Sequence, residues 1–359
     1  MDVKLEQPYM EMAERTYKTL VKYYFVKEQR LFLENYEKRS DDRDFSYLWP
    51  FSGVLSAVNA LAKMKGEGEK YQKELIHVLN SLEKYRDTDS DPATYDSYVI
   101  EQGGGSKFYD DNQWLGLDFV EAYKTLGDRH YLDMAKEMFD FSISGWSEEL
   151  GGGIYWQEDH KTSKNTCSNG PAAVLAMKLF EETGQDEYMI WAKKILEWTK
   201  ILWNPESGVY GDHVKIDGSI DRTTYTYNTG TVIHANALLF KATNDSIYLE
   251  EARMLAQNSL THFTTKHPDI SIHLLPPTPW FNAILFKGYL ALYEVDPDKD
   301  RTFIDTMRNN IDYAWAHARD VHGLFSPDWS GKTGMDKKHQ WLLDQAPMVE
   351  MYALFAKME

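Results

Sequence analysis

Gly127-Asp128-Arg129-His130-Tyr131-Leu132, Gly184-Gln185-Asp186-Glu187-Tyr188-Met189, Asn244-Asp245-Ser246-Ile247-Tyr248-Leu249 and Lys299-Asp300-Arg301-Thr302-Phe303-Ile304 are four versions of one phrase. A weaker fifth is Gly68-Glu69-Lys70-Tyr71. The aromatics fall at 71, 131, 188, 248 and 303, spaced by 60, 57, 60 and 55 residues, and a sixth copy is expected near Tyr17. Internal repetition at such a period marks stacked copies of one supersecondary unit. The period is too long for one helix and suits a helix pair with its loops.

Each aromatic opens a helical pattern. Tyr131, Ala135, Met138, Phe139 and Ser142 share one helix face, as do Tyr188, Ala192, Ile195, Leu196 and Thr199. Before each such helix lies a more apolar one, such as residues 171–180, 232–240 and 281–292. A helix apolar all round is a buried helix. Outer helices are therefore predicted near 8–25, 69–86, 128–145, 186–203, 245–265 and 299–317. Inner ones are predicted near 53–65, 111–126, 168–183, 230–243, 279–293 and 339–357. Six pairs close into an all-α (α/α)6 toroid, a single domain over 1–359. The bland alternative is an open helical solenoid.

The connections are asymmetric. Inner-to-outer links are short, at 65–68, 127–128 and 183–184, whereas outer-to-inner links run over 87–110 and 203–230. Loops longer than about 12 to 15 residues are usually functional or disordered, and these are rich in Trp, Tyr and Gly. A site is expected where they gather, at the N-termini of the inner helices. Gly153-Ile154-Tyr155, Gly208-Val209-Tyr210 and Gly323-Leu324-Phe325 are predicted as short strands on that end.

Composition narrows the partners. Hydrophobic residues make up 43% and the formal charge is -17, so a globular chain that repels phosphate backbones and anionic membranes is expected. No apolar run approaches the roughly 18 residues of a membrane span. Cys167 is the single cysteine, so no intrachain disulfide can form. No basic, then apolar leader is visible, and a cytoplasmic location is the expectation. No His/Cys/Asp spacing suggests a metal, no phosphate loop is present, and no cofactor is expected. The expected partner is an oligosaccharide, and the expected state a monomer or weak homo-oligomer.

The sharpest chemical signal is Tyr109-Asp110-Asp111-Asn112-Gln113-Trp114 after the glycines 103–105. It ends a long loop and starts an inner helix. Two carboxyls there lie about 5 Å apart if they diverge little, the spacing of a retaining glycosidase. Close carboxylates cannot both ionise freely, so one pKa is raised. The competing structural reading makes Asp110 and Gln113 a capping box. Trp49, Trp156, Trp280, Trp329 and Trp341 fall in the long loops or at inner-helix starts, where they stack on sugars or join the core. Asn165, Ser168 and Asn169 open one inner helix, and Tyr225, Tyr227 and Asn228 another. Each binds hydroxyls or caps its helix. His234, His273 and His339 also fall near this end.

On these residues the sequence resembles glycoside hydrolase family 76, the endo-α-1,6-mannanases. The likeness centres on Tyr109-Asp110-Asp111-Asn112-x-Trp114. It extends through Lys164-Asn165, Ser168-Asn169-Gly170-Pro171, Tyr225-Thr226-Tyr227-Asn228, Phe286-Lys287-Gly288 and Gln345-Ala346. The resemblance implies the toroid, Asp110 as nucleophile, Asp111 as acid/base, and substrate contacts from Tyr109, Trp114 and the polar and aromatic residues above. It departs at Thr229, where the family commonly has Gln, and at Pro276-Pro277-Thr278-Pro279-Trp280, usually polar and acidic. Three other readings stay open. A sugar epimerase would use His234 and His273. An unsaturated uronide hydrolase would want basic residues. A non-catalytic toroid would only bind carbohydrate.

Overall fold

The structure, a computed structural model, describes residues 8–359 other than 65, 67, 268–271 and 334–337. Lys65 and Glu67 of the 65–68 link therefore lie outside the described residues. Six helices form the outer layer: α1 (Tyr9–Tyr24), α3 (Gly68–Leu82), α5 (Arg129–Ser144), α7 (Asp186–Thr199), α9 (Ser246–Phe263) and α11 (Thr302–His317). Six form the inner layer: α2 (Leu48–Ala62), α4 (Tyr109–Leu126), α6 (Thr166–Thr183), α8 (Thr226–Thr243), α10 (Pro279–Val295) and α12 (Leu342–Met358). The inner helices touch in the order α2, α4, α6, α8, α10, α12 and back to α2, which closes the ring. Each outer helix packs against the inner ring, α1 closing it on α12. The (α/α)6 toroid predicted from the period is the observed fold. No helix among the described residues is long and apolar enough to cross a membrane.

The repeated phrase has a physical cause. Gly127, Gly184 and Asn244 end α4, α6 and α8 in the left-handed conformation, with φ of 73°, 69° and 55°. Each N–H closes the last turn on a carbonyl four residues back, at 2.8 Å. Gly has no Cβ to clash there, and Asn is the next most tolerant residue. Asp128 and Asp245 then cap α5 and α9, accepting from the N–H of His130 and Ile247. The phrase is thus a stop signal followed by a start signal.

The two layers differ as the sequence implies. Outer α7 buries the stripe Tyr188, Ala192, Ile195, Leu196 and Thr199. Outer α5 buries Ala135, Met138, Phe139 and Ser142, with Tyr131 only partly covered. Inner α8 buries nearly everything from Thr226 to Leu239. Its contact with α10 is backbone against backbone. A Cβ on Gly288 would come within 2.4 Å of the Gly230 carbonyl oxygen, so only glycine fits. That explains the glycine of Phe286-Lys287-Gly288.

Four inner helices start earlier than predicted, α4 at Tyr109 rather than 111 among them. α2 begins at Leu48 rather than 53, α6 at Thr166 rather than 168, and α8 at Thr226 rather than 230. Pro50 sits in the first turn of α2, where a missing N–H costs nothing. Residues 226–229 of α8 are Thr, Tyr, Asn and Thr, weak helix formers that the tertiary context overrides.

Buried side chains fasten the long loops to the inner helices. Asn112 accepts from the Tyr95 N–H at 2.8 Å and donates to the Tyr95 carbonyl at 3.0 Å. Asn169 does the same to Ile154, at 2.8 and 3.0 Å, and Gln345 to Phe325, at 2.7 and 2.9 Å. Thr229 makes only half of this clamp, accepting from the Tyr210 N–H at 3.2 Å. Of the predicted short strands, Val209–Tyr210 pairs with Trp203–Asn204. Ile154 and Phe325 form single bridges instead.

The ring is also electrically polar. None of the six inner helices has a side-chain cap hydrogen bond at its N-terminus. Lys63, Lys124, Lys178, Lys241 and Lys357 line a recess at the other end, where the inner helices finish, together with Glu121, Glu181 and Glu294, and Lys63, Lys178 and Lys241 are ion-paired there. Cations there offset the partial negative charge of helix C-termini.

Candidate active site

The inner-helix N-termini surround a cleft of about 620 Å³, within the usual size of a small-ligand site. Its floor is an apolar cluster of Trp114, Cys167, Tyr227, Trp280, Ile284 and Leu343. Trp280 links the floor together, its ring 5.0 Å from Trp114 and 5.3 Å from Trp49, edge-on to both. Phe281 stacks on Tyr227 at 4.2 Å. Trp156, 38% exposed, forms a wall beside Phe108. A three-stranded sheet of Ser163–Asn165, His213–Lys215 and Ile220–Asp221 forms the rim that carries Ser163, Asn165 and His213 to the cleft.

Asp110 and Asp111 both line this cleft, in the first turn of α4. The capping-box reading does not hold. The N-cap is Phe108, with no side-chain bond, and Gln113 donates instead to the Ser168 carbonyl at 2.8 Å. The two carboxyls have unequal surroundings. Asp110 Oδ2 accepts from Trp156 Nε1 at 3.3 Å. The Cys167 thiol and the backbone N–H groups of the helix start also favour its charged form. Burial pushes the Asp110 pKa up to about 6, and those donors pull against it. Asp111 has no such help. Burial and then the charge of Asp110 push its pKa well above the usual carboxylate range. These surroundings favour the anion at Asp110 over the anion at Asp111. Such a division equips a pair for nucleophile and acid chemistry.

Other expected site residues divide. Trp49, Trp114, Trp156, Asn165, Tyr225, Tyr227 and Trp280 line the cleft. Tyr109, Ser168, Asn169 and Asn228 do not. Tyr109 stacks on Phe141 at 4.7 Å, under Gly145, and is a core residue. Ser168 donates to the carbonyls of Ile154 and Asn165, and Asn169 is the clamp on Ile154. Asn228 is fully buried, its Nδ2 3.4 Å from the Gly211 carbonyl oxygen. Ser168 and Asn169 spend their polar groups on the loop backbone, whereas Asn228 Oδ1 is buried without a hydrogen-bond partner. Trp329 is core as well.

The histidines separate too. His234 lies in the recess beneath the floor, with Lys63, Lys178 and Glu121, where burial lowers its pKa. His273 sits on a distant hairpin, its Nδ1 3.2 Å from Thr264 Oγ1. An acid and base made of this pair does not assemble. Among the described lining residues of the cleft there is no Arg or Lys to meet a uronate.

Several lining residues were not singled out from sequence: Tyr47, Phe108, Cys167, Asp212, His213 and Phe281. Cys167 stands between Asn165 and Ser168, at the start of a helix already expected to face the site. Asp212 and His213 follow the Gly208-Val209-Tyr210 hairpin motif. His213 Nδ1 is 2.8 Å from Asp212 Oδ2, and Asp221 pairs across the hairpin from His213. One ligand atom from each of the three lies within 4.8 Å of the others, a grouping that the sequence spacing did not suggest.

Comparison with known proteins bears on the family and the fold. Residues 9–359 match the model of glycosyl hydrolase family 76. A putative mannan endo-1,6-alpha-mannosidase of Schizosaccharomyces pombe is 24% identical over 273 residues, covering 70% of this chain and 58% of the relative. A mannan endo-1,6-alpha-mannosidase of Candida glabrata is 26% identical over 231 residues, covering 58% and 52%. The chain spans about half the length of the curated relatives it matches. Among solved structures, a family 76 mannosidase of Bacteroides thetaiotaomicron superimposes with a TM-score of 0.89 at 28% identity, covering 98% of each chain. An alpha-1,6-mannanase of Salegentibacter, solved with alpha-1,6-mannotriose as an inactive variant with two consecutive aspartates changed to asparagine, gives 0.81 at 26% identity, covering 98% of this chain and all of that one. By the extent of the family match, this chain belongs to glycosyl hydrolase family 76.

Proposed function

We propose that the protein hydrolyses α-1,6-linked manno-oligosaccharides with retention of configuration. The observation that carries this reading is the unequal Asp110–Asp111 pair in an aromatic cleft at the helix N-termini. Asp110, as the carboxylate, attacks the anomeric carbon while the bond to the leaving oxygen breaks and Asp111 gives that oxygen its proton. A glycosyl ester on Asp110 results. Water then attacks the same carbon, Asp111 takes the water's proton, and the Asp110 carboxylate is released. Two displacements restore the α configuration. Trp156, Tyr225 and Phe281 offer aromatic faces to the C–H faces of the sugar. The Salegentibacter relative, inactive when its paired aspartates are changed and bound to mannotriose, supports both the pair and the ligand.

The test is NMR of the first product from α-1,6-mannotriose or longer chains. The α anomer is expected first. A β anomer appearing first means inversion and a second carboxylate elsewhere. No reducing sugar from any α-mannoside sinks the reading.

A further inference from the structure

We infer that Lys164 is a positioning residue for the reaction: its side chain gathers the loop before Trp156 and so sets the indole against the Asp110 carboxyl. The inference rests on Asp110 being the nucleophile of the proposed hydrolysis. Lys164 is fully buried. Its Nζ lies 2.9 Å from both the carbonyl and the hydroxyl oxygen of Ser147, and it also donates to the carbonyls of Glu149 and Gly152. None of these acceptors carries a charge. The neighbouring carboxylates are turned to other donors, Glu149 to the Tyr155 hydroxyl and Glu148 to the Trp146 indole and Lys194. An ammonium taken out of water is costly unless its donors are used, and here the loop uses them.

The loop is wound around that cation. Leu150, Gly151, Gly152 and Gly153 have φ of 60°, 76°, 130° and 88°, four successive residues in a region costly to any residue but glycine. The Leu150 carbonyl accepts from Trp198 Nε1 at 3.1 Å, and the Trp198 ring occupies the space a Cβ on Gly153 would need. Trp156 follows three residues later. The backbone of Lys164 bridges to Tyr155 while its side chain holds 147–152, so one residue fixes both ends of the loop. The Trp156 N–H donates to the Ser163 carbonyl at 3.1 Å, and its Nε1 donates to Asp110 Oδ2 at 3.3 Å. A donor favours the carboxylate anion only while its distance and angle hold, and Lys164 holds the backbone that sets both.

The experiment follows kcat/KM on α-1,6-mannotriose against pH for the protein, Lys164→Met, Trp156→Phe and the two together. Methionine keeps the length of the side chain and removes its charge. Asp111 and Cys167, which also face Asp110, stay in place. Each single variant should move the acid limb up by about half a pH unit, an about threefold loss on that limb. Because Lys164 acts through Trp156, the double variant should move it no further than Trp156→Phe does. A limb that stays in place in Lys164→Met, with the rate lowered equally at every pH, makes the lysine a clamp for the fold alone and overturns the inference. Shifts that add in full overturn it too. If Lys164→Met does not fold, Ser147→Ala, which takes one acceptor from the ammonium, carries the test: the limb should move in the same direction, and an unmoved limb is the refuting result. No cleavage by the unmodified protein overturns the functional reading instead.

Discussion

Replacing Asp111 with Ala separates the two carboxylates, because the structure gives them different surroundings. In the unmodified protein, kcat/KM on an oligosaccharide should trace a bell against pH. The acid limb is the loss of the Asp110 carboxylate. With its pKa near 6, activity should fall about tenfold for each pH unit below that value. The basic limb is the loss of the Asp111 proton, at a pKa held up by burial and by the charge of Asp110. The two apparent values belong to the pair. In Asp111→Ala the basic limb should vanish. The rate on an oligosaccharide should drop about 10²- to 10⁴-fold, the usual worth of a general acid, or about 3–5 kcal/mol of barrier. An aryl α-mannoside with an acidic phenol needs no proton on its leaving oxygen. On that substrate formation of the glycosyl ester should survive, with only the acid limb left. Azide should accelerate turnover where breakdown of the ester is limiting, because it attacks without a base. Asp110→Ala should be inactive on both substrates. The assay is phenol release and reducing-sugar release over pH 4–9. A basic limb that persists in Asp111→Ala belongs to another group. Ordinary activity in both variants makes the pair structural and refutes the mechanism.

Further outcomes follow from particular contacts. Cys167→Ala removes a donor to Asp110, so the acid limb of kcat/KM should move to higher pH, while Cys167→Ser should keep it near its original place. Asp111→Asn should raise Tm at pH 7 and less so at pH 4. A carboxyl whose folded pKa is raised stabilises fully only below its unfolded value, and that contribution is lost as pH climbs through the folded pKa. Gly288→Ala forces a Cβ against the Gly230 carbonyl and should lower stability by about 1–3 kcal/mol, read from the urea midpoint. Chelation with EDTA should leave the rate unchanged. Full loss restored by a divalent ion would assign the Asp212–His213–Asp221 grouping a part in catalysis.

The fold was largely legible because its signal is local and repeated. A left-handed stop at Gly127, Gly184 or Asn244 and an Asp cap at 128 or 245 need only neighbouring residues, so the phrase is readable where α4, α6 and α8 give way to α5, α7 and α9. Helix starts were less legible. Their first turns are held by loops from far away in sequence, as Asn169 is by Ile154 and Thr229 by Tyr210. The same long-range bonds misled the reading of the site. Asn and Ser near a helix start suit hydroxyl recognition and loop fastening equally, and sequence does not say which backbone will reach them. Cys167 and Phe281 went unmarked because neither residue type advertises carbohydrate chemistry. Each acquires a role only from what the ring places beside it, a carboxylate for one and Tyr227 for the other.

The absence of caps on the inner helices joins fold to function. Ser, Thr, Asp or Asn at an N-cap usually contributes about 1 kcal/mol. Outer α5 and α9 use Asp there. At the corresponding inner positions stand Tyr47, Phe108, Asn165, Tyr225, Thr278 and Trp341, none of which caps its helix. Four of these, Tyr47, Phe108, Asn165 and Tyr225, line the cleft, and Trp341 lines a groove beside it. An aspartate cap would satisfy the helix and fill the cleft mouth with charge that repels the Asp110 carboxylate. Aromatic residues leave the helix ends uncapped and present faces on which a sugar stacks. The inner-helix starts gather at the cleft that holds Asp110, where a helix N-terminus favours an anion, and the stability forgone at each cap is spread over a ring whose core holds it in place.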